Sequence, residues 1–194
     1  MKLLRNSFLL GAILIVFAGS GCRSGGVSTF HVRQDMDFSF IKRVAVLPLD
    51  NLTNERFAGD IVRQMVISEL LATGLVDVVV PGEVVAAVDK LGTRSISSLT
   101  ADQIKSLGST LKVQAFILGS VEKFGETRIG NTTAPEISIT LMMADASSGS
   151  IIWSATRTTG GASFMARHFG ARSDTMSESV LKVVREALNT LMKY

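Results

Sequence analysis

The sequence predicts an α/β domain built on one mixed sheet, in the order β-α-β-α-α-β-β-β-α, with helices packed on it. Three observations carry that expectation. Arg43-Val44-Ala45-Val46-Leu47-Pro48-Leu49 and Ala115-Phe116-Ile117-Leu118-Gly119-Ser120-Val121 are nearly continuous apolar runs, the pattern of strands covered on both sheet faces. Apolar residues at helical spacing follow the first run and precede the second, as crossover helices in right-handed βαβ units would. Further on, Ile137, Ile139, Leu141 and Met143 alternate with Ser138, Thr140 and Met142. Ser147-Ser148-Gly149 then turns the chain into Ile151-Ile152-Trp153-Ser154-Ala155-Thr156, an antiparallel hairpin.

Taken in order, residues 30–40 alternate loosely and suit an edge strand or an irregular lead-in. The run at 43–49 is the expected central strand. The side chains of Asp50-Asn51-Leu52-Thr53-Asn54 can cap backbone N–H groups, and Phe57, Ile61, Val62, Met65, Val66, Leu70 and Leu71 form the apolar stripe of a helix closed by Gly74. A second strand at 75–80 is stopped by Pro81-Gly82. A short helix over 83–91 then turns Val84, Val85, Val88 and Leu91 inward and ends at Gly92. Thr100 and Gln103 match a capping box opening a helix with Ile104, Leu107 and Leu111 buried. The strand at 115–121 follows, parallel to the first, and Trp153 belongs in the core or at its rim. Thr175 and Glu178 form a second capping box, opening a helix with Val180, Leu181, Val183, Val184, Ala187, Leu188, Leu191 and Met192 on its apolar stripe.

Composition bounds the function. A chain of 194 residues, 46% hydrophobic, buries one good core, so one domain is expected. The net charge of +3 falls toward neutrality once Lys2 and Arg5 are set aside, and no clustered basic surface points to nucleic acid. A single cysteine forms no intramolecular disulfide, and with two distant histidines it makes no usual zinc site. No metal or cofactor is expected.

Residues 1–21 read as a targeting segment: Lys2 and Arg5, an apolar run over 8–18, then Gly19-Ser20-Gly21. That run rises only about 16 Å as a helix, against roughly 30 Å for a bilayer core, so it does not suit a transmembrane helix. Small residues before the lone Cys22 resemble the lipobox of bacterial lipoproteins, although Gly19 stands where that motif usually has Leu. The resemblance implies cleavage before Cys22 and acylation of its thiol and new amino group. Arg23, being other than Asp, implies export to the outer membrane. The expected division is therefore a signal peptide at 1–21, a lipidated cysteine with a flexible tether and lead-in at 22–41, and the α/β domain at 42–194.

Val44-Ala45-Val46-Leu47-Pro48-Leu49-Asp50-Asn51, the run at 115–121, and Met143-Ala144-Asp145-Ala146-Ser147-Ser148-Gly149-Ser150-Ile151-Ile152-Trp153 resemble the CsgG family of curli-secretion lipoproteins. The related LpoB-type activator lipoproteins of penicillin-binding proteins and the amino-terminal domain of TolB share similar opening strands. The resemblance implies a noncatalytic, outer-membrane-anchored module facing the periplasm of a Gram-negative bacterium and gripping envelope or secretion proteins. The alternatives are a ring-forming, homo-oligomeric subunit of a CsgG-like export complex and, further off, a periplasmic hydrolase. The curli channel crosses the membrane with two hairpins per subunit, each strand needing about 9 to 11 residues. Residues 122–135, polar and Gly-rich, and 160–174 are too short for that, so a body without a transmembrane barrel is expected.

Candidate sites follow. Asp50, Asn51, Thr53 and Asn54 lie at the carboxyl end of the central strand, where open α/β sheets often bind ligands, although helix capping and loop hydrogen bonds account for them as well. No Gly-rich phosphate loop follows that strand. Ser120 and His168 lack the elbow of a serine hydrolase, and Glu122, Glu126 and Glu136 fit an acid–base pair or a solvated loop. Phe164, Met165, Arg167 and Phe169 in a Gly-flanked segment have the composition of a partner or membrane contact.

Overall fold

The first strand of the sheet lies upstream of the expected domain. In the computed structural model, which describes residues 28–93, 95–129, 132–160 and 174–193, β1 (Ser28–Val32) pairs antiparallel with the last strand. The fold thus begins inside the segment expected as tether and lead-in. Arg157 fixes the junction, its buried guanidinium donating from Nη1 to the carbonyls of Thr29 (3.0 Å) and Thr156 (2.8 Å). A short 3-10 turn, Phe38–Phe40, capped by Asp37, leads into the central strand.

That strand is split. β2 (Arg43–Val46) stops before Pro48, which has no N–H to give a ladder, and pairing resumes in β3 (Asp50–Asn51). β4 is only Asp77–Val78, because Pro81 serves as the first residue of the next helix rather than as a mere strand stop. The long antiparallel meander consists of β5 (Ala115–Ile129), β6 (Thr132–Asp145) and β7 (Ile151–Gly160). Strand order is β1-β7-β6-β5-β2-β4, with β3 beside β5; β2 is parallel to β4 and β5, and the remaining long pairings are antiparallel. The mixed sheet and its helices are the fold expected from the sequence. No helix among the described residues is long and apolar enough to cross a membrane.

Residues 122–129 and 132–135 are not a loop. They continue β5 and β6 as one ladder, with Gly125 opposite Glu136 and Arg128 opposite Thr133. The expectation failed because backbone bonds and a 2.7 Å Lys123–Glu136 ion pair hold this arm, so it needs no apolar alternation.

The helices are α1 (Ala58–Thr73), α2 (Pro81–Asp89), α3 (Ala101–Leu111) and α4 (Met176–Leu191). Helices α1 and α4 cover one face of the sheet, packing Val62, Val66, Val180 and Val184 on Val44, Ile117, Ile139 and Trp153. Each such buried Val or Leu contributes about 1.5–3 kcal/mol. The two helices are also joined by the Arg185–Glu69 pair (2.8 Å). On the other face α2 and α3 bury Val84, Val88, Ile104 and Leu107 against Ala45, Leu47, Phe116 and Leu118. Both capping boxes form as expected.

The stripe of α1 differs from the expected one. Phe57 (58%), Ile61 (45%) and Leu71 (56%) are exposed, whereas Ala58, Gly59, Arg63 and Ile67 are buried. The rotation is set by Arg63, whose Nε and Nη2 donate to the Val46 carbonyl at 3.0 and 2.8 Å, and by Gly59, which sits against the Leu49 carbonyl. Nor do residues 50–54 cap α1: its N-cap is Phe57, without a side-chain bond. On α2, Val85 is exposed and Ala87 is buried in its place.

The pairings give the sheet two ends. At one lie the starts of β2, β5 and β7 and the ends of β1 and β6; at the other lie the start of β1, the end of β7 and the tip of the β5–β6 arm. Gln114 organises the first end, its Oε1 accepting the N–H groups of Lys42 (3.2 Å) and Arg43 (2.8 Å).

Candidate functional site

Asp50, singled out at the carboxyl end of the central strand, is bonded to a distant segment of the chain. Its carboxylate accepts from Ser95 Oγ (2.8 Å), the Ile96 N–H (3.0 Å) and the Ser97 N–H (2.9 Å), so it clamps the 3-10 turn Ile96–Ser98 to β3. Burial alone would raise its pKa, but the hydrogen bonds from Ser97, Ser95 and Ile96 outweigh burial and hold it below the ordinary carboxylate value. A depressed folded-state pKa contributes stability that is full above the unfolded value and is lost as pH falls through the folded one. Acid titration of the wild type is therefore expected to show a loss of stability below about pH 4. Asp50→Asn should flatten that loss, as followed by circular dichroism across pH 2–6. Asn51 organises the adjoining loop, accepting from the Thr53 N–H (3.0 Å) and donating to the Glu55 carbonyl (2.8 Å). These are the loop hydrogen bonds the sequence allowed.

The remaining polar candidates do not converge. Ser120 lies within β5, not at a strand-to-helix turn, and donates to Glu122 Oε1 at 2.7 Å. Glu136 is paired with Lys123, and Glu126 lies opposite Pro135. The other oxygen of Glu122 is buried without a hydrogen-bond partner. Among the described residues no group of three His, Cys, Asp or Glu side chains is arranged to hold a metal ion. Cys22, Phe164, Met165, Arg167, His168 and Phe169 lie outside the described residues.

What the sequence reading missed is an apolar cleft of about 240 Å³ at the sheet end organised by Gln114. Phe38 and Ile41 form one wall, Leu75 and Val76 another, and Leu191 and Met192 a third; Val44 and Met143 lie at its floor. Leu75 (64%) and Met192 (44%) are exposed although apolar, which gives the rim an unfilled greasy surface. Lys42 also lines it. Such an opening has the size and apolar character to receive a bulky apolar side chain. The sequence assigns Leu75 to a strand and Leu191 and Met192 to a helix stripe, and the cleft is legible only once folding brings residues 38, 75 and 192 together.

An open mixed sheet with helices on both faces makes this a module of the type seen in several solved bacterial proteins. The PelC dodecamer from Paraburkholderia phytofirmans superimposes with a TM-score of 0.61 at 20% identity, covering 86% of this chain and 96% of that one. Lipoprotein GNA1162 from Neisseria meningitidis gives 0.54 at 13% identity, covering 79% and 99% respectively. The hypothetical protein CT253 from Chlamydia trachomatis gives 0.52 at 12% identity, covering 79% and 97%. At these identities the likeness is one of fold. No curated protein matches the chain. Residues 27–158 match the peptidoglycan-synthase activator LpoB family, and the chain belongs to that family.

Proposed function

We propose that this protein is a lipoprotein anchored in the outer membrane through Cys22, facing the periplasm, that activates a peptidoglycan synthase by binding it and has no catalytic activity of its own. The carrying observation is membership of the peptidoglycan-synthase activator family. Two features support it: Asp50, Glu122 and Glu136 are each engaged in a structural bond, and the accessible apolar cleft has the character of a contact surface. The mechanism is tethering. A lipid at Cys22 holds the domain within reach of the membrane and raises its effective concentration for a synthase working beneath it.

The test is reconstitution of the purified protein with a peptidoglycan synthase of the same bacterium. Glycan polymerisation is expected to rise several-fold on addition of the wild type. Cys22→Ser should lose palmitate labelling and membrane retention in cells yet still stimulate in solution. Absence of label on the wild type would remove the anchor, and absence of stimulation would remove the activator role. Phe164→Ser with Phe169→Ser in the same assay tests whether Phe164, Met165, Arg167 and Phe169 form a partner or membrane contact; unchanged stimulation and retention would reject it.

A second reading is a ring-forming subunit of a CsgG-like export complex. It is favoured by the resemblance of residues 143–153 to that family and by the fold shared with a dodecameric protein. Light scattering from the intact protein distinguishes a closed ring from a monomer.

A further inference from the structure

One side of the β1 backbone has no partner. The strand stands at the edge of the sheet, and no strand among the described residues lies beyond it. The Arg33 N–H donates to the Ile152 carbonyl (2.9 Å) and the Thr29 carbonyl accepts from Arg157, so residues 29, 31 and 33 turn their backbone polar groups toward β7. Direction alternates along an antiparallel strand, so Ser28, Phe30 and Val32 turn theirs outward. Each offers one N–H and one C=O along the open edge.

The two edges of the sheet are built differently. At the far edge β4 is only Asp77–Val78, with Asp77 exposed and Pro81 soon after, devices that deter the addition of another strand. β1 has neither charge nor proline to guard it: Ser28-Thr29-Phe30-His31-Val32 contains no Lys, Arg, Asp, Glu or Pro. Phe30 lies level with Ala155, on the face that α4 covers, yet at the margin of that face it is 54% exposed.

This edge is complementary to itself. Turned antiparallel about a two-fold axis beside Phe30, a second β1 sets Ser28 opposite Val32, Phe30 opposite Phe30 and Val32 opposite Ser28, so every outward N–H and C=O meets a partner. A slip of two residues leaves one outward residue of each strand unmatched. In the centred register the two phenyl rings meet on one side of the joined sheet as an aromatic cross-strand pair, and no like charges stand opposite each other. Such a contact uses the same patch on both subunits and closes at two copies.

We infer that the outer edge of β1 is the docking site for a second copy of this chain, joined strand to strand about Phe30 in a two-fold dimer. The inference rests on neither the membrane anchor nor the activator reading.

The test is sedimentation equilibrium of the full chain in density-matched detergent between about 1 µM and 1 mM, because so small an interface dissociates on dilution. The wild type is expected to pass from monomer to dimer. Phe30→Lys sets two ammonium groups face to face and should raise the dissociation constant about tenfold or more. Leu71→Lys, at a similarly exposed apolar residue on α1, should leave it unchanged. Crosslinking reads the register. With Cys22→Ser removing the single native thiol, Phe30→Cys places two thiols opposite each other at a Cα separation of about 5.5 Å and should give a disulfide-linked dimer on oxidation. His31→Cys, whose copies lie two positions apart and beyond the roughly 7 Å limit, should not. A wild type that stays monomeric throughout, an assembly larger than two, a Phe30→Lys dimer as tight as wild type, or equal crosslinking at positions 30 and 31 would overturn the edge pairing. None of these outcomes bears on stimulation of a synthase, so the two readings fail separately.

Discussion

Replacing Gly119 with alanine is expected to destabilise the domain severely. Gly119 lies in the middle of β5 with φ +153°, and a Cβ built there would stand 2.0 Å from the Thr140 carbonyl oxygen of β6. Both groups are backbone in the longest ladder of the sheet, so neither yields without separating the strands. The unfavourable backbone conformation alone costs about 1–3 kcal/mol. With the overlap added, the loss should pass about 4 kcal/mol, a large part of the roughly 5–15 kcal/mol that holds a domain together. Gly125, on the same strand, is the control, since nothing lies within 4 Å of a Cβ there. Gly125→Ala should change stability by less than about 0.5 kcal/mol. Thermal unfolding monitored through Trp153, the single tryptophan, compares the two. Equal melting temperatures would show that β5 and β6 do not meet as described.

The second large effect is expected at Trp153 itself. The indole is fully buried beneath α4, and its Nε1 donates to Thr190 Oγ1 at 3.0 Å. The Thr190 hydroxyl in turn donates to the Ala187 carbonyl at 2.7 Å. Trp153→Ala removes the largest buried side chain between sheet and helix and should cost about 3–5 kcal/mol. Thr190→Val keeps the shape and leaves the indole N–H without a partner, a loss of about 1–3 kcal/mol. Urea unfolding followed by circular dichroism should give a lower midpoint for both variants, Trp153→Ala well below Thr190→Val, with little change in slope. The reverse order would mean that the hydrogen bond, rather than the packing, fastens α4.

The features legible in the sequence are those whose causes lie within a few residues of one another. Thr100 with Gln103 and Thr175 with Glu178 each satisfy orphan N–H groups within a single turn, so both helix starts were readable. The alternation of Ile137, Ile139, Leu141 and Met143 reports one buried face, and all four are in the core. Other features depend on partners far along the chain. The rotation of α1 answers to Arg63 meeting the end of β2, which the spacing of Phe57, Ile61 and Leu71 could not disclose. Asp50 belongs to Ser95, Ile96 and Ser97, not to the helix that follows it. The cleft needs Phe38, Leu75 and Met192 to be brought together from the 3-10 turn before β2, the connection after α1 and the end of α4.

The β5–β6 arm has a geometric consequence for a domain fastened at Cys22. Ser28, Arg157, Ile139 and Val121 lie in one cross-strand row, and β5 runs on from Val121 to Ile129, a projection of about 26 Å at 3.3 Å per residue. The leash between Cys22 and Ser28 spans at most about 20 Å when pulled straight. With the proposed lipid at Cys22, so short a leash would leave the domain two stances: upright with the arm against the lipid headgroups, or leaning with the arm laid along the bilayer. In either stance the arm would act as a strut that sets how far, and at what tilt, the body stands off the membrane.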